Sequence, residues 1–156
     1  MTDKLSSTDR KILYALQTDG KLTNVALAEQ IGMSPSPCLR RVRQLEEAGY
    51  IAGYSAQLDR RKIGLGILAY VEIKVPQTGD ATIIERFKKA VLAEPCIVGC
   101  YITAGQFDFL LKVVARDIDA YSGLAQQVLL KLPGVQDMRT TFALEAIKDS
   151  SALPIP

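Results

Sequence analysis

Arg40, Arg41 and Arg43 lie within four consecutive positions, and Ser34 and Ser36 stand about one helical turn before them. Guanidinium groups grip phosphates and reach paired acceptors on guanine edges, while hydroxyls at a helix start can close on a nucleic-acid backbone. These five residues are the candidate DNA contacts. At about 100° per residue, Cys38, Leu39, Val42 and Leu45 gather on one side of a helix. Ser36, Pro37, Arg40, Arg43 and Gln44 gather on the other, with Arg41 at the edge of the polar side. An ordinary amphipathic surface helix with solvated charges has the same pattern. The preceding residues favour DNA, because residues 22 to 50, LTNVALAEQIGMSPSPCLRRVRQLEEAGY, read as two short helices joined by a tight turn. Thr23 suits the N-cap of a helix over residues 24–31 and Gly32 its sharp exit. Ser34 suits a second cap, Pro35 the first helical position and Gly49 the stop.

The second stretch with chemistry is Ala104-Gly105-Gln106-Phe107-Asp108. Glycine lets backbone N–H groups approach a carboxylate, and an aspartate accepts bonds from an ammonium group, so the pair suits a free amino acid. A hairpin turn with a solvated Asp is the competing reading.

Composition closes other routes. The chain has 156 residues and no histidine, and its three cysteines, Cys38, Cys96 and Cys100, show no C-x-x-C spacing. Zinc fingers and a Ser-His-Asp triad are excluded, and with no nucleophile motif or phosphate loop there is no catalytic residue, metal site or cofactor to nominate. The cysteines read as buried free thiols in a reducing cytoplasm. Net charge is only +2, and residues 1–60 carry eight basic against seven acidic side chains. Nucleic-acid affinity must therefore come from the local arginine cluster. No signal-peptide core and no 18-residue apolar run is present, which points to a cytoplasmic protein without membrane contact.

The elements that must position these residues fall into two domains. A helix starting near Ser7 or Thr8 and running to Thr18, with Ile12, Leu13 and Leu16 inward, completes a three-helix domain over residues 1–60 with a trailing strand (50–58), and the charged stretch from Asp59 to Lys62 followed by Gly64 and Gly66 reads as a linker. The second domain, residues 61–150, reads as strand 67–75, helix 80–94, strands 96–103 and 107–115, helix 118–132 and strand 135–147. The order β-α-β-β-α-β predicts a ferredoxin-like sandwich and makes the fold class α+β. The first strand alternates Ile67, Ala69, Val71, Ile73 and Val75 with Leu68, Tyr70, Glu72 and Lys74, which suits a sheet that packs on a second copy. Residues 151–156 read as a loose tail.

With both halves in place, the chain resembles the Lrp/AsnC family of feast/famine transcriptional regulators over nearly its whole length. The resemblance is most specific in Leu5, Asp9, Ile12 and Leu13 (L-x-x-x-D-x-x-I-L), in LTNVALAEQIGMSPSPCLRRVRQLEEAGYIAGYSAQLD, in TAGQFDFLLKV and in LPGVQDMRTTFALEAIK. It is closer to the leucine-responsive branch than to the asparagine-responsive one. The resemblance implies a winged helix-turn-helix, an effector-binding sandwich, and homodimers that pair through the sheet and assemble to octamers. It also implies that an amino acid binds beside the Gly-x-x-Asp segment between subunits, with Ile102, Thr103, Ala104, Gly105, Asp108, Ile118, Thr140, Thr141 and Phe142 as candidate lining residues. Sheet packing is the alternative for Ile102, Thr103, Ile118, Thr140, Thr141 and Phe142, and Thr140 and Thr141 must point to opposite faces of a strand. Nothing is spaced to bind a charged effector side chain, which favours an uncharged one. Some members carry an acidic residue where this chain has Arg40, so their operators cannot be assumed here. The resulting expectation is a regulator that binds double-stranded DNA and responds to a free amino acid. The alternatives are an amino-acid-binding module acting on a protein partner and an architectural DNA binder without effector.

Overall fold

The computed structural model describes residues 5–76, 81–149 and 152–156, and the chain divides into two compact units: residues 1–57 with 148–156, and residues 58–147.

The first unit is built on three helices, α1 (Ser7–Thr18), α2 (Asn24–Ile31) and α3 (Pro35–Glu47). Each start has a local cause. Ser6 and Asp9 form a reciprocal capping box on α1, and the Thr23 hydroxyl accepts the Ala26 N–H to start α2. Gly32 ends α2 at φ 72°, a left-handed geometry that a β-carbon would strain, so the chain turns at once into α3. Ile12, Ala15, Leu27, Ala28, Cys38, Val42 and Leu45 are buried together where the three helices meet. Leu39, expected on the apolar side of α3, is instead exposed at 39% and lies at the margin of that core.

Residues 51–58 contain no strand, contrary to the trailing strand expected there. A strand requires a partner ladder, and here Ile51 packs on the helical core while the Tyr54 hydroxyl donates to Glu46 at 2.9 Å. Residues 152–156 are also not loose. Gln17 holds Leu153 by two bonds, Nε2 to the Leu153 carbonyl at 3.0 Å and Leu153 N–H to Oε1 at 2.9 Å. Arg10 Nε reaches the Pro156 main-chain oxygen at 2.6 Å. The segment expected to be a linker is an ordered turn, in which Asp59 accepts the Arg61 and Lys62 N–H groups and Arg60 donates to the Leu65 and Gly66 carbonyls.

The second unit runs β1 (Ile67–Lys74), α4 (Ala81–Ala93), β2 (Ile97–Ile102), β3 (Phe109–Ala115), α5 (Ile118–Gln127), a 3-10 turn (Leu129–Lys131) and β4 (Asp137–Phe142). The expected helix start at Asp80 lies outside the described residues. The last helix breaks at Val128 and the last strand stops at Phe142, both short of expectation. The sheet is antiparallel in the order β2-β3-β1-β4, as the βαββαβ sandwich requires. Ala69, Val71, Ile73 and Val75 face the helices and are buried with Phe87, Val91, Tyr121 and Leu129. The opposite face is mixed: it carries the exposed Tyr70 and Tyr101 and a Glu72–Arg139 ion pair of 3.6 Å, and the Arg139 guanidinium lies 5.3 Å from the Phe107 ring centre. Only Cys38 meets the expectation of a buried thiol, since Cys96 is half-buried and Cys100 is exposed. No helix is long and apolar enough to cross a membrane among the described residues.

Candidate functional site

The start of α3 is short of donors. Pro35 and Pro37 have no N–H, and the Cys38 N–H closes on the Ser34 carbonyl at 3.2 Å, so the Ser36 N–H is the one donor of the first turn left over by the helix. Ser34 was expected to cap with its side chain. Its hydroxyl makes no cap bond, because the proline-substituted turn offers it little to accept from. The hydroxyls of Ser34 and Ser36 and one N–H thus stand exposed at the positive end of a helix dipole, an arrangement suited to a phosphate. The Asn24 side-chain amide donates to the Pro35 carbonyl at 2.8 Å and ties α2 to this turn, a contact that no sequence pattern had suggested.

The three arginines divide. Arg40 and Arg43 are exposed and have no ion pair among the described residues. Arg41 turns toward α1, with Nη1 2.7 Å from Asp9 Oδ1 and 3.3 Å from Ser6 Oγ. Burial pushes the Asp9 carboxyl upward. The Ser6 hydroxyl, the Ser6 N–H and the Arg41 guanidinium more than offset this and hold it below its ordinary value of 3.8. A carboxyl depressed on folding stabilises the native state fully above its unfolded value, and that contribution vanishes as pH falls through the folded value. Asp9→Asn is therefore expected to flatten the acid side of the stability profile below about pH 4. Urea midpoints measured from pH 6 to pH 2 check this: equal acid losses in variant and parent would contradict it.

In the second unit the loop from 103 to 108 is pinned at its base. Thr103 N–H bonds the Asp108 carbonyl, the Thr103 hydroxyl donates to the Phe107 carbonyl, and Asp108 N–H bonds the Ile73 carbonyl. The Asp108 carboxylate accepts the Val75 N–H through Oδ2 at 2.9 Å, and Lys74 Nζ reaches the Gln106 carbonyl at 2.7 Å. Asp108 thus anchors the end of β1, and its Oδ1 accepts no bond among the described residues. The tip, Ala104 to Gln106, is exposed, and a β-carbon on Gly105 would meet nothing within 4 Å. Among the described residues nothing stands close enough to require a glycine there.

The lining residues do not form one cluster. Ile102 aligns with Phe109 and, across β3, with Ile73, whereas Phe142 aligns with Ala69. β2 and β4 are opposite edges, three strand spacings apart, and the two positions differ by four residues along the strands. The corners are therefore separated by about 20 Å. The loop corner holds Ile102, Thr103, Ala104, Gly105 and Asp108, and the far corner holds Ile118, Thr140, Thr141 and Phe142. At the far corner the Tyr121 hydroxyl and Thr140 Oγ1 are 2.5 Å apart, and Phe142 meets the Tyr121 ring edge-on with centroids 5.0 Å apart. Thr140 shares the helix side with Val71, and Thr141 pairs with Tyr70 on the other, as strand alternation requires. Among the described residues no group of three His, Cys, Asp or Glu side chains could hold a metal ion.

Comparison with known proteins joins the two units. A winged helix-turn-helix DNA-binding model matches residues 5–52, and the model of the Lrp/AsnC ligand binding domain matches residues 68–153. The leucine-responsive regulatory proteins of Klebsiella pneumoniae and Escherichia coli K12 are each 42% identical over 97% of this chain and 92% of their own length. A transcriptional regulator from Neisseria meningitidis solved as a complex with L-Met superposes with a TM-score of 0.93 at 38% identity, covering 97% of each chain. An AsnC family regulator from Agrobacterium tumefaciens gives 0.90 at 35% identity, covering 96% of each.

Proposed function

Since the chain belongs to the Lrp/AsnC family of DNA-binding transcriptional regulators, which are not enzymes, we propose that it reads DNA through α3 and changes its DNA affinity when an uncharged amino acid binds between two copies of the chain. Ser34 and Ser36 close on a phosphate at the start of α3, and Arg40 and Arg43 reach bases or phosphates from its exposed side. The protein acts in the cytoplasm as a homodimer that assembles further to an octamer. Tyr70 and Tyr101 on the mixed sheet face are suited to burial against a second copy. A two-fold dimer presents two α3 helices and so favours inverted half-sites about one helical turn, or a multiple, apart.

The observation that carries the effector reading is the separation of the two corners. A free amino acid cannot bridge about 20 Å, whereas two copies in contact can bring the Gly105–Asp108 loop of one to Ile118 and Phe142 of the other. Asp108 Oδ1 then meets the ammonium, backbone N–H groups near Gly105 meet the carboxylate, and apolar side chains meet an aliphatic or thioether side chain. The methionine bound to the Neisseria meningitidis relative and the name of the leucine-responsive relatives support that class of ligand.

Thermal-shift measurements with each of the twenty amino acids, with and without a duplex selected from a random library, test this. A selective upward shift with an uncharged, medium-sized amino acid is expected, because a ligand that binds only the native state stabilises it. A shift with DNA and none with any amino acid would favour an architectural binder. A shift with an amino acid and none with DNA would favour a module acting on a protein.

A further inference from the structure

We infer that Arg41 acts as a positioning residue that locks α3 onto the start of α1, and that it does not contact DNA. The inference rests on α3 being the DNA-facing helix. Arg41 sits between the exposed Arg40 and the buried Val42, and its side chain leaves the DNA side for α1. Asp9 is the residue it meets, and only 16% of the Asp9 side chain is exposed, against 38% of the Arg41 side chain.

The same carboxylate closes the α1 capping box. Its Oδ2 accepts the Ser6 N–H at 2.9 Å and the Ser6 hydroxyl at 2.5 Å, while Oδ1 takes the guanidinium at 2.7 Å. The Ser6 hydroxyl in turn accepts from Arg41 and from the Asp9 N–H. The Asp9 carboxylate thus gives one oxygen to starting α1 and the other to holding α3, and the Ser6 hydroxyl takes part in both. A guanidinium withdrawn to reach a phosphate would leave a mostly buried carboxylate without its counter-charge.

The lock has a geometric effect. α1 and α3 pack through Ile12, Cys38, Val42 and Leu45, apolar contacts that fix distance but allow rolling about the α3 axis. Arg41 sits at the border between that apolar side and the polar side, where a directional bond fixes the roll and hence the aim of Arg40 and Arg43. A small error in aim disrupts paired contacts to base edges.

The test uses the full chain and duplex DNA over a series of salt concentrations, at a temperature where circular dichroism shows each variant fully folded. Loss of a phosphate contact lowers the slope of log affinity against log salt by about one, whereas a change of aim lowers affinity without that signature. Arg41→Ala and Asp9→Asn are each expected to weaken binding about tenfold at unchanged slope, and the double variant no more than either alone, as coupled partners behave. A slope reduced by about one in Arg41→Ala, or parental affinity in Asp9→Asn or Arg41→Ala, would overturn the inference. Arg43→Ala serves as the control. If it leaves both affinity and slope unchanged, the reading of α3 itself fails. If it flattens the slope alongside Arg41→Ala, only the role given to Arg41 fails.

Discussion

Arg43→Ala is expected to weaken binding to a selected duplex by about 1–3 kcal/mol, with relaxed sequence preference if the side chain reads a base. Arg43 is exposed, lies beyond the first turn of α3 and has no ion pair among the described residues, so its removal leaves nothing unpaired inside the protein. Thermal stability should therefore match the parent while affinity falls. If the side chain holds a phosphate instead, the loss is uniform across sequences and the salt slope falls by about one. Fluorescence anisotropy at four salt concentrations, on the selected duplex and on single-base variants of it, separates the two. Parental affinity on every duplex would remove Arg43 from the interface.

Asp108→Asn is expected to abolish the amino-acid response, a loss of about 1–3 kcal/mol of coupling, while effector-free DNA binding stays at the parental level. Asparagine retains an acceptor for the Val75 N–H, so the end of β1 remains held. It lacks the full negative charge that an ammonium group needs. Asp108→Ala would be less informative, since it also frees the Val75 N–H and loosens the strand. DNA titrations with and without the amino acid found by thermal shift give the coupling directly, and an unchanged ratio of affinities in the variant would place the ammonium elsewhere.

The elements were legible wherever a local cause acts. Thr23, Gly32, Pro35 and the alternation from Ile67 to Val75 depend on neighbours in sequence, and the helices and β1 follow them. The βαββαβ order was readable for the same reason. What failed depended on distant contacts. Residues 51–58 look like a strand but pair with none among the described residues, and Leu153 carries no local signal of order because its partner, Gln17, lies far away in sequence.

Candidate residues followed the same rule. The polar side of α3 follows from periodicity alone, but the division between Arg41 and its neighbours does not, because periodicity places Arg41 only at the edge of that side and is silent on Asp9 as its partner. The signal was present in Ser6 and Asp9, a capping-box spacing whose carboxylate has oxygen to spare. Asp108 was found from its loop. Its bond to Val75 was not, since strand register decides it. The separation of the effector residues into two corners was likewise invisible until the order β2-β3-β1-β4 fixed which edges they occupy.

The claim that the effector site is shared between copies is tested most directly by mixing two silent variants, Asp108→Asn and Ile118→Glu, the second placing a carboxylate at the far corner. Neither should respond to the amino acid alone. In co-expressed mixed assemblies about a quarter of the shared sites would combine an intact loop from one copy with an intact far corner from another. A partial return of the amino-acid effect on DNA affinity is the expected result. Mixed assemblies as silent as either variant, in the presence of demonstrated subunit mixing, would contradict a site built from two copies.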